Sequence, residues 1–166
     1  NGNPTVGESA SPPRAGQIAK RVVIDAPLVR GSFSVRGARL DDVILTGYKE
    51  TLDDDSDNIH FLQKTNSERP FFVEFGWSSS DDNQTMPSAD SLWSADRDVL
   101  TPSSPVTLTW ENGQGLTFTR QISINDDYLF TFEDSVTSTL ASDIKLYPYG
   151  LVRRHGTPAT TGMYIL

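Results

Sequence analysis

Apolar and polar residues alternate most regularly in the second half of the chain. Val106–Glu111 alternates apolar side chains with threonines, and Leu116–Ile124 repeats the period of two, interrupted only by Arg120. Such alternation is typical of β-strands that bury one face. Asn112 and Gly113 lie between the two runs, and Asn-Gly is the strongest short hairpin signal because both residues tolerate positive φ. We therefore expect a hairpin whose buried face carries Leu108, Trp110, Phe118 and Ile122.

Further strand candidates are short apolar or β-branched runs separated by turn residues. They are Arg21–Asp25, Ser32–Val35, Ala38–Leu45, Ile59–Gln63, Phe71–Trp77, Tyr128–Val136 and Ile144–Val152. Pro148 interrupts the last run, and because proline cannot donate to a ladder this strand suits a sheet edge or a bulge better than a central position. Helical periodicity is nearly absent, and only Thr85–Arg97 could hold a turn or one short helix. The pattern predicts an all-β, antiparallel fold closed as a sandwich, with at most one or two short helices.

The start of the chain differs in composition from the rest. Residues 1–17 hold Pro, Gly and Ser and almost nothing apolar, which is typical of a flexible linker. We expect order to begin near Arg21, so that 1–17 is a linker and 18–166 is one β-sandwich domain. A length of 166 residues fits one domain, since domains usually span about 100–200 residues. A start at Asn1 rather than Met suggests a piece of something longer.

Charge and cysteine content exclude several classes of function. Lys and Arg number 14 against 22 Asp and Glu, which gives a net charge of -8. A nucleic-acid binder would carry a basic surface, and docking on anionic lipid would need one too. The chain has 0 cysteines, so thiol nucleophiles, disulfides and Cys-ligated zinc are excluded. No stretch approaches the roughly 20 apolar residues of a membrane span.

Candidate metal and catalytic motifs are weak. The acidic run Asp53–Asn58 opens with EF-hand spacing, but it has Asn58 where the loop needs Gly and Lys64 where it needs Glu. His60 lies in an apolar run and is expected to be a strand residue with a satisfied partner. His155 lies in a polar turn, and no H-E-x-x-H motif is present. We therefore expect no catalytic residue, no cofactor and no metal ion.

Three side chains could still mark a site. Glu74, in an aromatic strand, is the acid to check first, although alternation favours a simple outward-facing position. Trp77 and Trp93 stand beside loops and are the candidate contacts for a cleft or a partner, with core or loop-anchoring roles as the simpler explanation.

Four blocks of the sequence resemble the large periplasmic domain of the bacterial YidC membrane protein insertases. The opening of that domain is similar to Arg21–Glu50, RVVIDAPLVRGSFSVRGARLDDVILTGYKE. Blocks similar to α-proteobacterial members are FFVEFGW at Phe71–Trp77, LTPSSPVTLTWENGQGLTFTRQISINDDYLFTF at Leu100–Phe132 and LYPYGLVRRHGTP at Leu146–Pro158. They span nearly everything after the first 17 residues, and none is a catalytic motif.

The resemblance implies a β-supersandwich, similar to galactose-mutarotase-like and sugar-binding folds. It implies a place in the periplasm, tethered to the inner membrane between the first and second membrane helices of a full-length insertase. That family inserts inner-membrane proteins alone or beside the Sec translocon. The insertion chemistry belongs to the membrane core of the family, so no site residue is carried over to this chain.

Two functional hypotheses remain open. The first is a non-enzymatic domain for protein–protein interaction, whose partners are Sec accessory subunits or nascent membrane proteins. An exposed sheet face or edge strand would carry these contacts. The second is a carbohydrate- or small-ligand-binding sandwich with a cleft. A mutarotase-like enzyme is less favoured, because it needs a Glu working with histidines and His60 and His155 have unlike contexts. Nucleic acid is not expected, and the membrane is expected to be reached only through helices absent from this chain.

Overall fold

The computed structural model describes residues 19–156, and this part of the chain forms eleven β-strands and no helix. The strands are β1 (Arg21–Asp25), β2 (Val29–Ser34), β3 (Arg39–Lys49), β4 (Asn58–Leu62), β5 (Phe71–Ser79), β6 (Ser94–Ala95), β7 (Val99–Leu100), β8 (Val106–Glu111), β9 (Leu116–Ile124), β10 (Phe130–Ser138) and β11 (Leu146–Arg154). The expected all-β fold is confirmed. The predicted linker, 1–17, lies outside the described residues, as does the end of the predicted domain.

The strands form two sheets that pack face to face. The first, called sheet 1 here, has seven strands in the order β11-β5-β3-β2-β1-β7, with β4 also paired to β3. The second, sheet 2, has four strands in the order β10-β9-β8-β6. Aromatic pairs join the sheets: the ring centroids of Phe75 and Phe132 are 4.4 Å apart, and those of Trp77 and Phe118 are 6.1 Å apart. The predicted sandwich is therefore confirmed.

Pairing within sheet 1 departs from a simple meander at two places. Strand β7 pairs with β1 in parallel, the exception among antiparallel ladders. Strand β3 is long enough to pair with two strands along the same edge. It pairs with β5 at Leu40 and with β4 between Val43 and Lys49. Residues 85–97 contain no helix and provide the short strand β6 instead.

The predicted hairpin has the bounds expected from the sequence. Strands β8 and β9 pair antiparallel, with Trp110 opposite Phe118. Gly113 adopts a φ of 69°, which glycine reaches without the steric cost that other residues pay. The side-chain oxygen of Asn112 accepts hydrogen bonds from the backbone N–H groups of Gln114 and Leu116, at 2.8 and 3.0 Å. The Asn-Gly pair therefore closes the turn through both its backbone and its side chain.

The core lies between the two inner faces. Its buried members include Val22, Ile24, Val29, Phe33, Leu100, Val106, Leu108, Leu116, Phe118 and Ile122. Trp110, expected to be buried with them, is only half-buried and packs on the core from its margin. Its ring lies 5.6 Å from that of Phe118 and 6.4 Å from that of Trp93. The face prediction was right, but β8 ends too near the rim to enclose the indole.

Strand β11 forms the outer edge of sheet 1, as Pro148 predicted. It pairs with β5 over nine residues, from Leu146 opposite Ser79 to Arg154 opposite Phe71. Its other side has no strand neighbour within the described residues. Successive side chains of a strand point to opposite faces of the sheet, and paired residues of neighbouring strands share a face. Because Phe75 and Trp77 of β5 point inward, the residues of β11 opposite them lie on the inner face and the others lie on the outer face.

Candidate functional site

Glu74 lies on the outer face of sheet 1, as alternation predicted, but it is not a free surface acid. Its side chain is only 14% exposed. Arg39 of β3 donates from Nε to Glu74 Oε1 at 2.7 Å, and the guanidinium of Arg39 stacks 5.0 Å from the centre of the Phe72 ring. The Nε of Arg153 on β11 lies 3.9 Å from the second carboxylate oxygen. The carboxylate thus links three neighbouring strands.

Beside this ion pair, β11 presents a row of apolar side chains on the outer face. Tyr147, Tyr149 and Leu151 alternate along the strand and are 53%, 46% and 38% exposed. The ring of Tyr149 folds over Gly76 of β5, where an added Cβ would lie 2.4 Å from the phenol carbon and oxygen. Glycine at this position therefore lets the tyrosine lie against the sheet. We call Tyr147, Tyr149 and Leu151 the outer patch.

A small cleft of about 130 Å³ opens next to the outer patch. Glu74, Tyr149 and Arg153 contribute to its lining, together with the loop around Ser88 and the indole of Trp93. Trp93 is only 5% exposed, and its Nε1 has no hydrogen-bond partner within the described residues. The cleft combines two aromatic side chains, a carboxylate and a guanidinium, the groups that hold small polar ligands.

Trp77, the second tryptophan singled out from the sequence, lies elsewhere. It is half-buried on the inner face of β5. It lines a wide, open groove of about 830 Å³ together with Val136 and Leu146, at the side of the sandwich where β10 and β11 end each sheet. The structure therefore does not bring Trp77 and Trp93 into one cleft. Their roles as partner contacts stay predictions.

The interruption in the alternation of β9 is a fully buried arginine that forms an ion pair with an aspartate at the edge of sheet 2. The Arg120 side chain is 0% exposed, and its Nε and Nη2 donate to the two carboxylate oxygens of Asp134 at 2.7 Å each. Its Nη1 donates to the carbonyl oxygen of Phe75 in sheet 1 at 3.3 Å. The guanidinium carbon lies 5.3 Å from the Phe75 ring and 5.4 Å from the Trp93 ring. This is a structural group, because every part of the cation is enclosed by protein.

A polar network centred on Asp42 covers another part of the outer face. Asp42 accepts hydrogen bonds from Ser32 Oγ at 2.7 Å and His60 Nε2 at 3.0 Å, and Lys64 Nζ lies 3.2 Å from its carboxylate. Burial raises the pKa of Asp42, but the hydrogen bonds and the charge of Lys64 outweigh burial and hold that pKa below its usual value. The expected satisfied partner of His60 is therefore found.

The arrangement of this network does not suit nucleophilic catalysis. A hydrolytic triad needs an imidazole between the hydroxyl and the carboxylate, whereas here Asp42 stands between Ser32 and His60. His155 follows β11 and is exposed. Across residues 19–156 no group of three His, Asp or Glu side chains is arranged to hold a metal ion.

Some structurally important residues were missed by the sequence reasoning, although signals for them existed. Asp134 shares the parity of Phe132 and Val136, so an acid on the inward face of β10 could have been matched to the inward Arg120. Tyr147, Tyr149 and Leu151 share one parity, which could have predicted the outer patch.

Fold and surface define an all-β sandwich domain with structural ion pairs and exposed apolar side chains at its outer face. Comparison with protein families agrees: residues 21–166 match the model described as the YidC periplasmic domain. The chain belongs to the YidC periplasmic domain family. The resemblance inferred from the sequence blocks, and the periplasmic location that it implied, are thereby confirmed.

Curated relatives carry the name Membrane protein insertase YidC. The protein of Methylorubrum extorquens (strain PA1) is 47% identical over 146 residues, which cover 88% of this chain and 24% of the relative. That of Beijerinckia indica is 45% identical over 157 residues, covering 94% and 26%. That of Bradyrhizobium diazoefficiens is 42% identical over 169 residues, covering 98% and 27%. The chain thus spans about a quarter of the length of these relatives. Among the described residues, no helix has the length and apolar character to cross a membrane.

Proposed function

We propose that this chain is a non-catalytic part of a membrane protein insertase and serves protein–protein contact in the periplasm. The observation that carries the proposal is the outer patch, where Tyr147, Tyr149 and Leu151 stand exposed in a row. Tyrosine is enriched at protein interfaces because it offers a large, rigid contact area with a polar tip.

The surroundings of the outer patch suit a protein partner. The side chain of Arg153 is 58% exposed at one end of the row, so it can pair with a carboxylate at the rim of an interface. Gly76 fixes Tyr149 against the sheet, so less side-chain freedom is lost on binding. The occupant we propose is a folded or extended protein segment with apolar side chains and an acidic rim. Sec accessory subunits and nascent membrane proteins are the two classes of partner.

Weak contacts are enough for this role. A domain held at the membrane by neighbouring helices meets its partners at local concentrations of about millimolar. We therefore expect the isolated chain to bind them with a Kd of about micromolar or weaker. The net charge of -8 opposes unaided binding to anionic lipid, so protein contact is the favoured use of the surface.

The test is a pair of substitutions in a full-length insertase. Tyr149→Ser with Leu151→Ser should slow the insertion of substrates that need a periplasmic partner, at unchanged abundance. The matched control is Val23→Ser with Val99→Ser, which removes exposed apolar side chains from the opposite edge of sheet 1. Equal effects of the two pairs, or no effect of the first, would argue against the proposal.

The cleft beside the outer patch supports a second candidate function, the binding of a carbohydrate or other small hydroxylated ligand. The side chains of Trp93, Tyr149 and Glu74 all line the cleft, so it has two aromatic residues and a carboxylate. Titration of the chain with monosaccharides, followed by tryptophan fluorescence, tests this candidate. Binding that disappears in Tyr149→Ala would favour it over protein contact, and no response would remove it.

A further inference from the structure

A separate cavity between the two sheets is almost wholly apolar. Its volume is about 420 Å³, which falls within the range of about 300–1,000 Å³ typical of ligand pockets. Leu45 and Val73 line it from sheet 1, and Phe130 and Phe132 line it from the start of β10. None of the described residues that line it is charged. An occupant must therefore bring apolar groups, because a polar group would lose its hydrogen bonds to water there.

The mouth of the cavity is formed by aromatic side chains. Phe61 of β4 is 49% exposed and Tyr48 of β3 is 53% exposed. The ring of Tyr48 lies 5.7 Å from that of Tyr128, which precedes β10. The lining side chains bring only two polar atoms, the phenol oxygens of these tyrosines. Exposed aromatic side chains around an apolar interior are typical of sites that take up an apolar anchor.

Both walls of the mouth continue directly into acidic turns. Tyr128 follows Asp126 and Asp127, which are exposed. On the other wall, the segment 49–57 after Tyr48 holds Glu50 and four aspartates against a single lysine. The ammonium group of this lysine, Lys49, donates a hydrogen bond to the carbonyl oxygen of Ser56 in the same segment. Both turns that adjoin the two tyrosines of the mouth therefore carry negative charge, which disfavours an anionic amphiphile such as a fatty acid.

We propose that this cavity binds a large apolar side chain from a basic peptide segment, one with Lys or Arg on both sides of a Leu or Phe. The apolar side chain fills the space between the sheets, and the flanking cations face the acidic turns. The site rests on the proposed role in protein contact, but it uses none of the residues of the outer patch. A test of the cavity can therefore fail while the outer patch is still a partner surface, and the reverse also holds.

The test titrates the 166-residue chain with three capped heptapeptides and measures binding by calorimetry. The sequences are Lys-Lys-Leu-Phe-Leu-Lys-Lys, the same peptide with Glu in place of Lys, and the same peptide with Ser at its three central positions. The Lys–Phe peptide should bind about tenfold more tightly than the Glu peptide, since charge complementarity sets the difference. The Ser peptide should not bind. Affinity should fall between about 0.05 and about 0.5 M salt.

Two variants locate the site. Val73→Phe reduces the free volume and should weaken binding about tenfold, because the anchor no longer fits. Asp126→Asn with Asp127→Asn changes only exposed turn residues, so the fold is kept, and it should weaken binding about threefold. The matched control, Glu111→Gln with Glu133→Gln, removes two exposed charges from sheet 2 away from the mouth and should leave binding unchanged.

Several results would overturn the proposal. One is equal binding of the Lys and Glu peptides. Another is binding that stays unchanged in Val73→Phe and in the double variant of Asp126 and Asp127. A third is no binding at all. A concentration-dependent dimer that dissociates in Val73→Phe would instead assign the cavity to a second copy. Binding to this chain but not to a full-length insertase would show that the rest of that protein covers the cavity. Only Lys-peptide binding shared by both proteins and weakened by both variants supports it.

Discussion

Arg120 and Asp134 lie opposite each other on β9 and β10 and form a two-point ion pair inside the sandwich. The arginine is fully enclosed, while the aspartate side chain keeps 19% exposure at the edge of sheet 2. The same guanidinium donates to the Phe75 carbonyl, so one side chain connects the two sheets. A buried cation of this kind is tolerated only while its partners remain in place.

Removing the partner of this cation should therefore be costly. Asp134→Ala should lower the free energy of unfolding by about 3–5 kcal/mol, because it leaves a buried charge unpaired. Arg120→Met combined with Asp134→Ala should cost less than Asp134→Ala alone, since no charge is then left without a partner. Urea denaturation at neutral pH measures both values.

The neighbouring acid provides the control for this comparison. Glu133 is exposed on the other face of β10, and Glu133→Ala should change stability by no more than about 0.5 kcal/mol. If the double variant proved less stable than Asp134→Ala, the burden of an unpaired charge would not be the reason for the loss.

The two aromatic residues paired across the β8–β9 hairpin should differ in their contributions to stability. Phe118 is fully buried, so Phe118→Ala should cost about 3–5 kcal/mol. Trp110 is half-buried at the rim, so Trp110→Ala should cost clearly less, about 2 kcal/mol. Denaturant unfolding of the two variants gives the order. A larger loss for Trp110→Ala would mean that the indole is enclosed after all.

The fit of Tyr149 over Gly76 predicts a strong coupling between these positions. Gly76→Ala would place a methyl group 2.4 Å from the phenol carbon and oxygen of Tyr149 and should cost about 1–3 kcal/mol, the usual range for overpacking. Tyr149→Ala should relieve that clash, so the double variant should be more stable than the sum of the single losses suggests. A double-mutant cycle from urea unfolding provides the test. Additive losses would contradict the packing of Tyr149 on the sheet.

Stability should depend on pH through Asp42. The pKa of this carboxylate is lower in the folded chain than in the unfolded one, where it is about 3.9. The unfolded state then takes up its proton first as the pH falls, so the stabilisation is complete above that value and is lost below it. Asp42→Asn should therefore flatten the decline in stability between about pH 5 and about pH 3.

Unfolding free energies across that pH range for the unchanged chain and the variant test the effect of Asp42. Asp54→Asn, in the exposed β3–β4 loop, is the matched control and should leave the decline unchanged. An identical decline with and without Asp42 would show that other groups control the acid sensitivity.

The hairpin could be predicted from the sequence to the residue, because alternation and Asn112-Gly113 are local signals. The pairing of β7 with β1 could not, because Val23 and Val99 are brought together by the path of the chain between them. The same holds for β3, whose two parts pair with β4 and β5.

The candidate site shows a similar division. Alternation placed Glu74 outward correctly, but its ion pairs with Arg39 and Arg153 join three strands and depend on sheet order. The burial of Trp93 and the half-burial of Trp77 depend on how loops cross the sandwich, which no local pattern contains. The sequence therefore indicated which side chains could form a site, but it did not indicate which residues they would contact.

The proposed contact role is tested most directly by a photo-crosslinking side chain at position 149 of a full-length insertase, in cells making a radiolabelled membrane protein. With the probe in place of Tyr149, we expect light-dependent adducts with the labelled protein or with a Sec accessory subunit, identified by mass spectrometry. The same probe in place of Glu133, on the outer face of sheet 2, should give neither. If the probe at position 149 formed adducts only with the insertase itself, the outer patch would not be a partner surface. Equal adducts from the probes at positions 149 and 133 would contradict it as well.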